Sequence, residues 1–153
     1  MTPIFFLLVF AVGSLLAIFR DPIYGLYTYI FTLYMSPSAN WWGSLVPDVR
    51  YLFIIGALTL AVTLFRGRTP GRRGWLTFFP SRMLLGLIAY MWLQTLWAHN
   101  VDIHLGGTIT FTKHLLIFFL TYQLVDTRER MQTFLILHIV GCFYFGYLAL
   151  RAG

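Results

Sequence analysis

The chain has 153 residues, of which 59% are hydrophobic and 10% charged, and its net charge is +6. A water-soluble domain carries about 25% charged residues, so this composition excludes a soluble globular domain of the same length. It also argues against nucleic acid as the reason for the basic charge. Most Lys and Arg residues fall between apolar runs, where membrane topology and anionic headgroups account for them.

Apolar runs cover residues 3–19, 23–35, 49–65, 83–98, 109–125 and 133–150. A bilayer core about 30 Å thick takes about 20 apolar helical residues to cross, with about 17 as a lower limit. Five of the six runs reach or approach that limit. The expected fold class is therefore an all-α membrane protein, a polytopic helical bundle of about six transmembrane helices forming one domain over residues 1–153.

The first run lacks a basic leader and a clear small-x-small cleavage site before Arg20, so it reads as a retained span. Gly13 and Ala17, four apart, either allow close helix contact or belong to a lipid-facing surface. The second run is short, starting after Pro22 and ending before Pro37, and reads as a span or as a re-entrant segment. Tyr24, Tyr27 and Tyr34, with Phe31, form a stripe at helical spacing that suits helix packing or stacking on sugar and isoprenoid. Trp41, Trp42 and Tyr51 mark the outer end of the third run as an interfacial belt.

The segment 66–82 holds Arg66, Arg68, Arg72, Arg73 and Arg82 and no acid. Short loops rich in Lys and Arg stay cytoplasmic, so this loop is expected inside. Alternation then puts eight of the eleven Lys and Arg residues inside and leaves Arg50, Lys113 and Arg151 outside. The arginines serve topology and anionic lipid, with lipid diphosphate as the sharper alternative. Pro70, Gly71 and Gly74 make the segment a linker between two three-span halves.

The fourth run closes at Trp97. The stretch AHNVDIHLGGTITFTKH after it reads as an outer loop that gathers His99, Asn100, Asp102, His104, Lys113 and His114. Such a group suits a solvated loop, or weak contacts to a glycan or its pyrophosphate. The last two runs flank a short inner connection over residues 126–132 with Arg128 and Arg130.

Little else speaks of chemistry. No carboxylate lies mid-run, and no HExxH, CxxC, P-loop or GxSxG pattern occurs. No catalytic residue is therefore assigned. His138 alone qualifies as an ionisable side chain buried in a span, since Arg50, Lys113 and His114 fall near the outer ends of their runs. It reads as a hydrogen bond to a neighbouring helix or as a weak metal candidate, the axial ligand of a haem or chlorin. Cys142 reads as a small packing residue.

The order of motifs goes further. RDPIYGLYTYIFTLYMSPSANWWG resembles the N-terminal signature of the exosortase A-associated O-glycosylation ligases, O-antigen ligase- and polymerase-like membrane proteins. The residues that carry it are Arg20, Pro22, Gly25, Met35, Pro37, Trp42 and Gly43. Trp92, Trp97, Ala98 and Asn100 resemble that family's Trp-rich span, and Lys113 with Thr127 to Arg130 its next segment. Phe143, Tyr144, Phe145 and Gly146 look like its Phe-Tyr-Gly span. Ser38 stands where the family tends to have a His, which removes any role of that His here.

The resemblance implies the N-terminal membrane half of a ligase acting on isoprenoid-diphosphate-linked glycan in the bacterial inner membrane. The family's catalytic loop comes later than residue 153, so residues 1–153 alone are expected to be inactive. The alternative is a non-catalytic integral membrane subunit of a larger assembly. Both readings take membrane lipids and other transmembrane helices or subunits as partners, and neither takes nucleic acid.

Overall fold

A computed structural model describes residues 2–37, 40–66 and 74–152. All regular structure among them is helical. Six α-helices follow in order: α1 Thr2–Phe19, α2 Ile23–Tyr34, α3 Tyr51–Arg66, α4 Phe79–Gln94, α5 Val101–Leu124 and α6 Arg128–Ala152. Helices α1, α5 and α6 are long and apolar enough to cross a membrane. At about 1.5 Å per residue, the 12 residues of α2 reach about 18 Å. That is short of the about 30 Å core of a bilayer.

The apolar runs locate every helix, but three starts differ from expectation. The loop expected after Trp97 is helical from Val101, so Asp102, His104, Lys113 and His114 lie on α5. Asn100 explains this start, because its Oδ1 accepts the Ile103 N–H at 3.2 Å. Asp102 in the first turn suits the positive end of the helix dipole. Gly106 and Gly107 each cost about 1 kcal/mol of helix propensity, yet the long helix carries them through. Likewise α6 starts at Arg128, capped by Thr127, whose Oγ1 accepts the Arg130 N–H at 3.2 Å. Helix α4 starts at Phe79 with a proline in its first turn, so Arg82 is helical and not in the loop.

The chain forms two compact units, Met1–Gly67 with Leu124–Gly153, and Arg68–Gln123. One join falls in the basic segment. The other falls at the end of α5 and groups α6 with the first three helices.

In the first unit α2 packs against α1, α3 and α6. Small residues bring the backbones together. A Cβ added to Gly13 of α1 would overlap Thr28 of α2, and one added to Gly25 of α2 would overlap Thr59 of α3. A Cβ on Gly141 of α6 would enter the ring of Tyr34. Thr28 and Thr59 donate back to the Tyr24 and Ile55 carbonyls at 2.8 and 2.7 Å. Their hydroxyls are thereby satisfied inside their own helices while they face the glycines. Of the two readings of Gly13 and Ala17, close helix contact holds, since both are buried.

One end of this unit is closed by an aromatic cluster of Phe6, Trp42, Val46 and Tyr51. Tyr51 meets Phe6 and Phe10 edge-on, each at 5.2 Å. The two tryptophans expected together in an interfacial belt divide their roles. Trp41 is 84% exposed, whereas Trp42 is 1% exposed and plugs the core.

In the second unit α4 and α5 run antiparallel. Phe78, just before α4, meets Tyr122 at 5.3 Å, and at the other end Trp92 Nε1 donates to Thr112 Oγ1 at 3.2 Å. Trp75 packs on Phe118 and Phe119.

Candidate functional site

At one end of the first unit α1 and α3 finish while α2 and α6 begin, and the basic residues gather there. Arg66, at the end of α3, donates through both guanidinium arms to the Ile18 and Arg20 carbonyls, each at 2.6 Å. Those carbonyls end α1 and have no partner within it. The cation also suits the negative end of that helix. Arg66 therefore has a structural task in addition to the topological one expected of it. Arg20 lies over the Tyr24 ring at 5.7 Å.

Arg130 is the centre of this end. Its Nη2 meets Asp21 Oδ2 at 2.5 Å and its Nη1 meets Asp126 Oδ1 at 3.2 Å. Nη1 also donates to the Leu124 carbonyl at 3.0 Å. Asp21 Oδ1 accepts the Ile23 N–H at 2.9 Å, which ties the carboxylate to the start of α2. Tyr27 donates to the Arg130 carbonyl at 3.3 Å. The side chains of Arg130, Asp21 and Asp126 are each about 30% exposed. Half-buried, charge-assisted bonds of this kind are stronger than surface pairs. The sequence reading assigned Asp21 and Arg130 no pairing, because they stand 109 residues apart and no local pattern joins them.

Farther along, α2 and α6 form a seam of rings. Tyr34 packs on Gly141, meets His138 at 5.8 Å, and its hydroxyl lies 3.3 Å from Cys142 Sγ. Phe134 stacks on the His138 ring at 4.7 Å. One expectation changes here. The interhelical hydrogen bond expected of His138 is replaced by ring contacts, and its Nδ1 is buried without a partner among the described residues. Cys142 is exposed, with its Sγ beside the Tyr34 hydroxyl. Of the aromatic stripe, Tyr27 and Tyr34 pack on α6, Tyr24 meets Tyr27 and Arg20, and Phe31 packs on Phe5 and Phe6 of α1. His138 is the sole histidine of this unit, so the unit offers no second axial imidazole and does not fit a bis-histidine haem.

The expected cluster on the outer side does not form one site. Asp102 and Lys113 stand eleven residues apart on one helix, which is about 16 Å of rise. His104 is held by its ring nitrogen at 2.8 Å from the Met91 carbonyl, and His114 stacks edge-on with Phe111. His99 precedes the helix. The Trp92–Thr112 bond puts Lys113 level with the last turn of α4, so this cation sits near that helix's end. No group of three or more His, Cys, Asp or Glu among the described residues is placed to hold a metal ion. Arg68, Arg72 and Arg73 lie outside the described residues.

At the end of the first unit opposite Arg130, Tyr144 donates to Asn40 Oδ1 at 3.2 Å, linking α6 to the segment after α2. An open groove of about 400 Å³ lies beside this bond. Comparison of the chain with family models, with curated proteins and with solved structures finds no match.

Proposed function

We propose that the chain is the N-terminal membrane half of an O-antigen ligase-like protein in the bacterial inner membrane. It would hold the isoprenoid-diphosphate-linked glycan for a catalytic loop that lies outside residues 1–153. One observation carries the reading. Three of the segments that resemble the ligase signature lie against one another, the first meeting two later ones. Arg130 of the Thr-Arg-Glu-Arg segment pairs with Asp21 of the Arg-Asp-Pro segment. Tyr144 of the Phe-Tyr-Phe-Gly segment bonds Asn40, between Pro37 and Trp42 of the first signature. Two later motifs thereby pack on the first, one at each end of the first unit.

Deleting the coding segment should leave the acceptor unglycosylated and make the isoprenoid-linked glycan accumulate. Purified residues 1–153 should transfer no glycan alone. Unchanged glycosylation after deletion would remove the reading. It would favour a non-catalytic subunit, for which the outward apolar face of α6, with Phe143 81% and Leu150 86% exposed, is the supporting observation.

Six spans with the arginine-rich segment inside follow from the same reading. Arg20, Arg66, Arg128 and Arg130 gather at one end of the first unit, which supports a shared cytoplasmic side. In a Cys142→Ser background, Thr69→Cys should resist an impermeant thiol reagent in intact cells and Ser44→Cys should react. The reverse pattern would invert the topology.

A further inference from the structure

We propose that the groove at the Trp41 end of the first unit seats the phosphodiester headgroup of an anionic phospholipid. The groove is lined by Asn40, Trp41, Trp42, Tyr144, Tyr147 and Arg151. Asn40 and Tyr144 are braced: Tyr144 donates to Asn40 Oδ1, and Asn40 Nδ2 donates to the Ser36 carbonyl at 2.8 Å. They shape the wall and leave recognition to the others.

Arg151 is the only charged residue of the lining, and it forms no ion pair among the described residues. Its planar fork fits two oxygens of one phosphate. Trp41, at 84% exposure, and Tyr147, at 55%, present large rings with polar edges, the side-chain type that settles at headgroup level. Met35 and Leu148 add apolar surface for the first carbons of an acyl chain, and Thr2 of α1 completes the lining.

The charge count selects the ligand. One guanidinium matches the single negative charge of a phosphodiester such as phosphatidylglycerol. A diphosphate would bring more negative charge, and among the described residues the groove holds no second cation to meet it. The groove is therefore distinct from a donor site for lipid-linked glycan, and this inference stands apart from the proposed function. Free phosphate would leave the apolar side of the groove unused.

The test uses the full chain, purified in detergent and delipidated, with bound lipid counted by native mass spectrometry. Phosphatidylglycerol should bind about fivefold more tightly than phosphatidylcholine, the factor expected of one basic residue at a headgroup. Arg151→Gln should abolish that preference, Arg151→Lys should keep most of it, and Trp41→Ala should weaken both lipids. Equal binding of the two lipids by the unaltered chain would overturn the proposal. So would a preference that survives Arg151→Gln, since it would belong to the arginines of the opposite end. Displacement of phosphatidylglycerol by equimolar glycerol phosphate would reduce the groove to an anion site without lipid. A photocrosslinker at position 41 that captures a polypeptide in native membranes would make it a protein interface. If Arg151→Gln loses its helical signal, Trp41→Ala decides, and undiminished lipid retention in that variant rejects the site.

Discussion

Gly25→Val should be the most damaging single substitution in the first unit. The position is closed on two sides, since an added Cβ would overlap the Thr59 hydroxyl of α3 and lie 3.2 Å from the Ala17 Cβ of α1. Neither neighbour is the far end of a flexible chain, so relief requires α2 to move away from one helix. Overpacking of this kind costs about 1–3 kcal/mol and sometimes more. Valine adds a branched side chain where two helices already touch. Gly146→Ala is the control, because nothing lies within 4 Å of a Cβ there. It should be neutral or slightly stabilising through helix propensity. Unfolding in mixed micelles of increasing dodecyl sulfate, followed by tryptophan fluorescence, reads both variants. Combining Gly25→Ala with Thr59→Ala should recover part of the loss of Gly25→Ala alone. Equal stability of the Gly25 and Gly146 variants would mean that the α1–α2–α3 contact is looser than described.

Arg130→Ala should rank next, at about 1.5–3 kcal/mol, the range for hydrogen bonds to charged groups. The change removes the guanidinium that meets Asp21, Asp126 and the Leu124 carbonyl. It also leaves two carboxylates at one end of the bundle without the cation they shared. Arg130→Lys should recover only part, because an ammonium cannot present the same fork. Asp21→Asn keeps an oxygen for the Ile23 N–H and loses the ion pair, so a double-mutant cycle with Arg130→Ala isolates the Arg–Asp coupling. High salt should shrink that coupling, since all three side chains are partly exposed. A cycle with no coupling would show that the contact is incidental to stability.

Helix positions were readable because each apolar run has to bury its own backbone polar groups in a helix. In lipid that holds whichever helices flank the run, and it is why α1, α2 and α3 lie within a residue or two of expectation. The start of α5 was misread for an equally local reason. His, Asn, Asp and a Gly pair look like a loop when polarity is the criterion, whereas the Asn100 cap and the Asp102 charge favour a helix there. With α5 helical, the polar residues of that stretch spread along an axis and their supposed cluster dissolves.

Composition and run length by themselves determined an all-helical, membrane-suited chain with seven of its eleven Lys and Arg residues in two gaps, because hydrophobicity and charge act through the sequence directly. Which helices touch was decided only by the tertiary structure. Gly25 meets Thr59, Gly141 meets Tyr34, and Arg130 meets Asp21 across long stretches of chain. The α2–α6 seam joins helices separated by three others in sequence. Such contacts depend on shape and on where a single cation can reach its carboxylate, and neither property has a period along the chain. The same is true of the groove at Arg151, whose walls come from three separate parts of the sequence.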